Sequence, residues 1–302
     1  MRLLFLVAAV GSPYVLLAIA TFFWAGNIVL ARSTHTDIPP IAMAFWRWSI
    51  ALSILLPFVF REIKTKFEVI VRHWKQFLIL GITGAMAFNT MTYVGLNHTT
   101  ATNAVILNSL IPVFIIIMAY VFLKDEVSFT QIGGCFISLV GMLAIVSDGN
   151  FYSMASLALN VGDFWIIAAM FCWAIYTILL RHQPRWLSPM GFLAVILILG
   201  LPVLLPFYIW ELFFVRSFHI NSNTFLTLCY FGSLPSVVSY ILWNQGVNKI
   251  GPSRAGVFIH LVPVFGLTLS GIFLDESIET YHLIGASLIF LGIWGTNYGK
   301  QI

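Results

Sequence analysis

Long apolar runs follow one another along this chain, separated by short segments that are polar or contain Pro or Gly. The runs are continuous and do not alternate with a period of two, which indicates helices and not strands. Each run has roughly the 20 residues that a helix needs to cross a bilayer core of about 30 Å. The pattern predicts ten membrane-spanning helices, at residues 13–31, 41–60, 76–95, 101–123, 130–147, 161–180, 189–210, 224–246, 252–274 and 281–298.

Composition supports an all-α integral membrane protein. Of 302 residues, 60% are hydrophobic and 9% are charged, which leaves too little polar surface for a water-soluble globule. The longest polar connection, at 61–75, is too short to fold alone. The first run, MRLLFLVAAVGSP, is similar to a signal peptide, but the apolar pattern resumes at once, so we interpret it as a signal-anchor.

Lys and Arg residues are unevenly distributed among the predicted loops. With the N-terminus in the cytoplasm, twelve of the fifteen basic residues face the cytoplasm, two face outward and Arg47 lies within a span. The positive-inside rule therefore predicts cytoplasmic N- and C-termini in a multi-pass plasma membrane protein. The basic charges are segregated by loop, which argues against a nucleic-acid partner despite a pI of about 9.0.

The sequence also repeats itself. Residues 95–126 align with 246–276 at an offset of 151, and residues 23–32 align with 172–181 at an offset of 149. The chain is therefore predicted to hold two five-helix repeats, at 1–150 and 151–302, which together form one membrane domain. Because five is odd, the second repeat must be inverted, and inverted repeats are typical of alternating-access carriers with a midplane site.

These motifs resemble a known family. Trp-Ala-x-Asn at 24–27 and the Pro-Val-Phe steps at 112–114 and 263–265, each followed by an Asp-Glu pair, resemble the EamA family of the drug/metabolite transporter superfamily. The resemblance implies ten helices, cytoplasmic termini, a bacterial inner membrane and a central cavity. Family substrates include amino acids, nucleosides and cofactors such as riboflavin, and the aromatic amino-acid exporters are the most similar members in overall look.

Polar and aromatic residues share helical faces at equivalent positions of both halves. Asn89 and Tyr93 are one turn apart in the third span, and the repeat offset maps this face onto the eighth span. Either they line a central substrate site or the aromatic residues simply pack or form interfacial belts. The predicted substrate-binding residues on these faces are Trp24, Asn27, Asn89, Tyr93, Trp173, Tyr176, Tyr240, Trp243 and Asn244.

A histidine and two prolines interrupt the apolar spans four and nine. His260 at mid-membrane is a candidate substrate ligand or proton carrier, because a buried ionisable group is costly in a membrane. The alternative is a neutral imidazole that bonds across helices. Pro112 and Pro263 each remove one backbone hydrogen bond, so they are predicted to kink these helices and serve as hinges.

Arg47 is an unusual charge, since it lies about 9 Å inside the second span, where insertion costs roughly 2.5–3.5 kcal/mol. The offset of 149 places Ile196 at the equivalent position, so Arg47 has no symmetry mate. It could meet a substrate carboxylate, or close an outer gate by pairing with Asp163. It could also snorkel while packing between Trp46 and Trp48. A structural or gating role is favoured.

Several other acidic residues, cysteines and glycines are expected to have structural roles. The acidic pairs at 125–126 and 275–276 are interpreted mainly as helix caps. The cysteines lie in separate spans, so neither a disulfide nor a metal site is expected. Four glycines, spaced seven apart in spans five and ten, predict close helix contacts within a monomer or in a homodimer: Gly134, Gly141, Gly285 and Gly292.

The favoured function is a secondary carrier that moves small metabolites, preferably aromatic or other neutral amino acids, by alternating access. An aromatic box would also suit a quaternary amine such as choline, and nucleosides could stack on tryptophan. No Walker A loop is present, so ATP coupling by this chain is not expected. An enzyme and a channel are weaker alternatives. The expected partners are a small-molecule substrate and the lipid bilayer, and no cofactor is expected.

Overall fold

In a computed structural model the described parts of the chain are residues 11–34, 38–150, 160–218, 221–273 and 279–298, and within these ranges every regular element is a helix. Eight of the described helices are long and apolar enough to cross a membrane. A short additional helix, Phe67–Arg72, follows Pro40–Thr65. The ten-helix prediction is confirmed.

We label the ten helices α1 to α10 in chain order. Helices α1 to α3 are Pro13–Thr34, Pro40–Thr65 and Trp74–Leu96, and α4 is Ala101–Asn108 continued by Ile111–Leu123. Helices α5 to α8 are Phe129–Val146, Val161–His182, Pro189–Phe214 and Ser222–Ile250. Helix α9 is Pro252–Gly256 continued by Val257–His260 and Leu261–Phe273, and α10 is Thr280–Tyr298.

The helix starts follow local capping chemistry. Ser128 caps α5, and its side chain and that of Gln131 each bond the other's backbone N–H in a capping box. The expected cap by the acidic pair at 125–126 is therefore wrong for α5, and Asp125 instead forms an ion pair with Arg181 at the end of α6. The pair at 275–276 and most of the proposed signal-anchor lie outside the described residues.

Contacts between repeat mates show that the two halves are related by an axis through the bundle. A residue can touch its own symmetry mate only where both lie beside the axis. The mates that make contact are Trp24 with Trp173, whose ring centroids lie 5.3 Å apart, Asn89 with Tyr240, joined by a 3.2 Å hydrogen bond, and Ser109 with His260, joined by a 2.9 Å hydrogen bond. Because each repeat has five helices, an odd number, the second repeat crosses the membrane in the opposite sense, so the two halves are inverted around this common centre.

Glycines bring α5 and α10 into backbone contact. A Cβ atom placed on Gly134 would lie 2.5 Å from the carbonyl oxygen of Gly292, and one placed on Gly141 would lie 2.5 Å from that of Gly285. Such approaches leave no room for a side chain. The predicted close helix contact is confirmed, and it lies within the monomer.

Irregular turns also occur in matched pairs. Helices α3 and α8 each contain a π-helical segment, at Gly81–Ala87 and Gly232–Val238, which are separated by the repeat offset of 151. Helix α4 is broken at residues 109–110, just before Pro112, and α9 narrows to a 3₁₀ turn at Val257–His260, just before Pro263. These interruptions release backbone carbonyls, and mid-helix π segments are frequent at functional sites.

A buried carboxylate joins α7 to the start of α2. Glu211, with 3% of its surface exposed, accepts hydrogen bonds from the backbone N–H groups of Ile41 (3.0 Å) and Ala42 (2.6 Å). Pro40 has no N–H group, so these are the first free donors of α2. A carboxylate at a helix N-terminus also complements the helix dipole. The bond pair fixes the relative position of two helices from opposite halves.

Replacing Glu211 with glutamine is expected to lower the free energy of unfolding by about 1–2 kcal/mol, because one charge-assisted acceptor becomes an amide donor facing an N–H group. Thermal unfolding of the purified protein in detergent measures the effect. Glu68→Gln, at an exposed position, serves as the matched control. Equal melting temperatures for both variants would show that the Glu211 contact contributes nothing.

Candidate functional site

Five aromatic side chains from both halves, four buried and one partly buried, form a cluster on the axis. We name the aromatic cluster as Trp24 of α1, Trp173 and Tyr176 of α6, and Tyr240 and Trp243 of α8. Trp173 is central, with ring centroids 5.3 Å from Trp24, 5.3 Å from Tyr176, 5.5 Å from Tyr240 and 5.8 Å from Trp243. The structure thus brings together five residues that the helical-face pattern had singled out, at the junction of the repeats.

Arg47 is buried beside this cluster and points into the bundle. Its Nε donates to Ser236 Oγ (2.5 Å), its Nη1 donates to Asn89 Oδ1 (3.0 Å) and Tyr93 OH (2.9 Å), and its Nη2 donates to the Pro235 carbonyl oxygen (3.4 Å). Only 2% of its surface is exposed, so it does not snorkel. The guanidinium ties α2 to α3 and α8, and all its partners are neutral.

The expected gate between Arg47 and Asp163 is absent. Asp163 completes the capping box of α6 with Asn160, whose N–H group lies 2.8 Å from its Oδ2. It also accepts a hydrogen bond of 2.5 Å from Thr99 Oγ1 and a weaker one from Asn103 Nδ2. Asp163 therefore fixes the α3–α4 connection to the start of α6, and its acceptors are used there.

The π-helical segments supply carbonyl acceptors to the site, which the sequence reasoning did not anticipate. Glycines at 81, 84 and 232 and a proline at 235 within apolar spans are the signal that could have indicated them. The carbonyl contacts are Gly84 O with Tyr240 OH (2.7 Å), Ala85 O with Trp48 Nε1 (2.9 Å) and Asn89 Nδ2 (3.0 Å), and Pro235 O with Trp24 Nε1 (3.0 Å). The released backbone groups thereby hold the aromatic rings in place.

Four buried polar atoms of the predicted site have no hydrogen-bond partner in the protein. They are Asn27 Oδ1, Trp173 Nε1, Trp243 Nε1 and Asn244 Nδ2. The other amide atom of Asn244, Oδ1, accepts from Tyr176 OH at 2.8 Å. Buried polar groups are nearly always paired, and an unpaired one costs about 1–3 kcal/mol. Such atoms around an aromatic cluster could bind a small molecule that has both polar and apolar parts.

His260 lies outside the aromatic cluster. Its Nδ1 is 2.7 Å from Ser138 Oγ of α5, and its Nε2 is 2.9 Å from the Ser109 carbonyl oxygen at the α4 break. Both ring nitrogens are therefore engaged with neighbouring helices. The predicted role in substrate binding does not fit this placement, because neither nitrogen is available to a ligand at the cluster.

The fold and site define the class of protein. Two inverted helical halves around a buried site, with interrupted helices beside it, form the architecture of secondary transporters. The EamA-like transporter family matches residues 11–147 and 160–298, and this chain belongs to that family. The family resemblance drawn from the sequence is confirmed.

Relatives at the level of whole proteins agree with this assignment. The uncharacterized transporter YyaM of Bacillus subtilis (strain 168) is 27% identical over 280 residues, covering 93% of this chain and 92% of that protein. A probable amino-acid metabolite efflux pump of Salmonella typhimurium (strain LT2) is 22% identical, covering 92% of each protein. A solved crystal structure shares the fold with a TM-score of 0.78 at 16% identity, covering 95% of this chain and 96% of that one.

Proposed function

We propose that this protein is a secondary carrier that moves small metabolites across the plasma membrane by alternating access, with neutral or aromatic amino acids as substrates. The observation that carries the proposal is the aromatic cluster on the axis, where both halves contribute rings and unpartnered polar atoms. A site on the axis contacts both halves in every orientation that they adopt. The similarity to a probable amino-acid metabolite efflux pump supports the substrate class.

The charge at the site favours an amino acid over a quaternary amine. Among the described carboxylates, none forms an ion pair with Arg47, so the site carries a buried positive charge. A cationic ligand would be repelled by this charge, whereas a carboxylate would be attracted. Choline binding by cation–π contacts with the cluster is therefore the weaker alternative.

We further propose that both termini face the cytoplasm. The connection at 61–75 holds five of the basic residues, and Gln76, which follows it, donates to the carbonyl oxygen of His182, next to the Arg181–Asp125 ion pair. Short loops rich in Lys and Arg remain on the cytoplasmic side. Labelling of single cysteines introduced in this connection, from either side of sealed vesicles, tests the orientation.

Counterflow in proteoliposomes preloaded with mixed amino acids tests the proposed function. Saturable exchange is expected for the wild type, and Trp243→Ala is expected to reduce it at least about tenfold, because a fully buried ring of the cluster is lost. Trp294→Ala removes a tryptophan that is 60% exposed and should leave exchange unchanged. Melting temperatures of both variants separate loss of folding from loss of binding.

Two other results of the counterflow experiment would change the proposal. Exchange of choline or nucleosides without amino-acid exchange would replace the substrate and keep the carrier. A flux that rises linearly with concentration and shows no counterflow would indicate a channel and contradict the proposal.

A further inference from the structure

We infer that Trp173 Nε1, Trp243 Nε1 and Asn244 Nδ2 form a binding subsite for the carboxylate of the substrate. The inference rests on the proposed function and assigns one chemical group of the ligand to one half of the protein. All three atoms are hydrogen-bond donors, and all three lack a partner in the protein. A carboxylate is the common ligand group that accepts several such bonds at once.

The three donor side chains are linked by contacts within the aromatic cluster. The indole rings of Trp173 and Trp243 have centroids 5.8 Å apart. Tyr176 OH donates to Asn244 Oδ1 and packs against Trp173, which leaves the amide NH₂ group as the free end of that side chain. At most 1% of the surface of Trp173, Trp243 or Asn244 is exposed, so bulk solvent does not reach these donors.

Arg47 is less available to the carboxylate than the three unpartnered donors. A guanidinium has five N–H donors, and four of them already bond Ser236, Asn89, Tyr93 and the Pro235 carbonyl. Arg47 is thus a positioning residue, connected to the cluster through Asn89, which donates to Tyr240 OH. Its uncompensated positive charge stabilises a carboxylate nearby, while the three unpartnered donors provide the contacts.

The first half supplies a complementary acceptor. The repeat mate of Tyr176 is Asn27, and that of Asn244 is Tyr93. Tyr176 bonds Asn244 in the second half, but in the first half the Tyr93 hydroxyl accepts from Arg47. Asn27 Oδ1 consequently has no partner, one helical turn from Trp24, whose ring contacts Trp173. Arg47, which lacks a mate of its own, makes the site asymmetric, with donors on one side and an acceptor on the other. This polarity suits the two ends of a zwitterion.

Asn244→Asp is the most direct test, because it keeps the acceptor for Tyr176 and replaces the donor with a carboxylate oxygen. In counterflow, wild-type protein is expected to take up L-phenylalanine with a KM at least about tenfold lower than for phenethylamine, which lacks the carboxylate. Asn244→Asp should raise the KM for L-phenylalanine at least about tenfold and lower that for phenethylamine. An unchanged ratio of the two KM values would overturn the inference.

Replacing single indole rings with phenyl gives a second test, because it removes the N–H group and keeps an aromatic ring. The smaller ring affects both substrates alike, so Trp173→Phe and Trp243→Phe should each raise the KM for L-phenylalanine several-fold relative to that for phenethylamine. The matched control is Trp48→Phe, since Trp48 is also buried but its N–H group bonds the Ala85 carbonyl, and it should leave the KM ratio unchanged. Equal ratios in all three variants would refute the subsite.

These experiments separate the two proposals. If wild-type protein exchanges no amino acid, the proposed function fails, and the subsite fails with it. If wild-type protein exchanges L-phenylalanine and phenethylamine equally well, the carrier stands and the carboxylate subsite is wrong.

Discussion

Gly134→Val is expected to prevent stable folding, and Gly134→Ala to lower the free energy of unfolding by about 1–3 kcal/mol. The first side-chain carbon would lie 2.5 Å from both the Gly292 carbonyl oxygen and the Thr296 backbone nitrogen. These are backbone atoms of α10, so relief requires the two helices to separate. Separation would also expose Ser138, whose hydroxyl bonds His260 in the same contact region.

The adjacent glycine provides the control. A Cβ atom on Gly133 would meet nothing within 4 Å, so Gly133→Ala should be neutral or stabilise the helix by up to about 1 kcal/mol. Yield of monodisperse protein after detergent extraction and its melting temperature measure both effects. Similar stability of Gly133→Ala and Gly134→Ala would show that α5 and α10 are not in backbone contact.

Arg47→Met should abolish most of the exchange activity, with a fall of about a hundredfold, which corresponds to about 2.7 kcal/mol. The substitution leaves Asn89 Oδ1 and Tyr93 OH without their donor, at about 1–3 kcal/mol each, partly offset because a charge no longer has to be desolvated. It also removes the side chain of α2 that, among the described residues, hydrogen-bonds to both α3 and α8. Counterflow and thermal unfolding, measured on the same preparation, report the two effects.

Two further variants show what the guanidinium contributes. Arg61→Met removes a positive charge from an exposed position of the same helix and should leave exchange unchanged. Arg47→Lys keeps the charge but not the planar fork, so it should recover only a small part of the activity. Full activity in Arg47→Lys would mean that charge alone matters, and full activity in Arg47→Met would exclude a role for this residue.

The helices were predictable because apolar runs and the internal repeat report directly on membrane burial. The predicted ends of some helices came too early, because polar residues continue these helices beyond the apolar run. Helix α2 extends through Arg61 and Glu62 to Thr65, and α8 extends to Ile250 although residues 248–249 are Asn-Lys. Backbone hydrogen bonding continues at the membrane surface without apolar side chains, and only the glycine at 251, with a φ of +84°, ends α8.

The site was predictable in its aromatic part and not in its polar contacts. Helical faces repeated in both halves identified Trp24, Trp173 and Tyr240, because symmetry carries information that one helix alone does not. The partners of Arg47 depend on side-chain direction and on the π-helical turn that exposes the Pro235 carbonyl, and neither follows from spacing. Glu211 was missed since it follows an apolar run, where a carboxylate is expected to face water.

The contacts between repeat mates have a consequence for assembly. Each half presents a self-complementary surface that fits a partner turned upside down, as in the isologous interface of a two-fold dimer. A separate chain of about five helices could cover that surface only with a copy inserted in the opposite direction. The basic connection at 61–75 would hold every copy of the first half in one orientation, so fusion into a single chain gives each half its inverted partner.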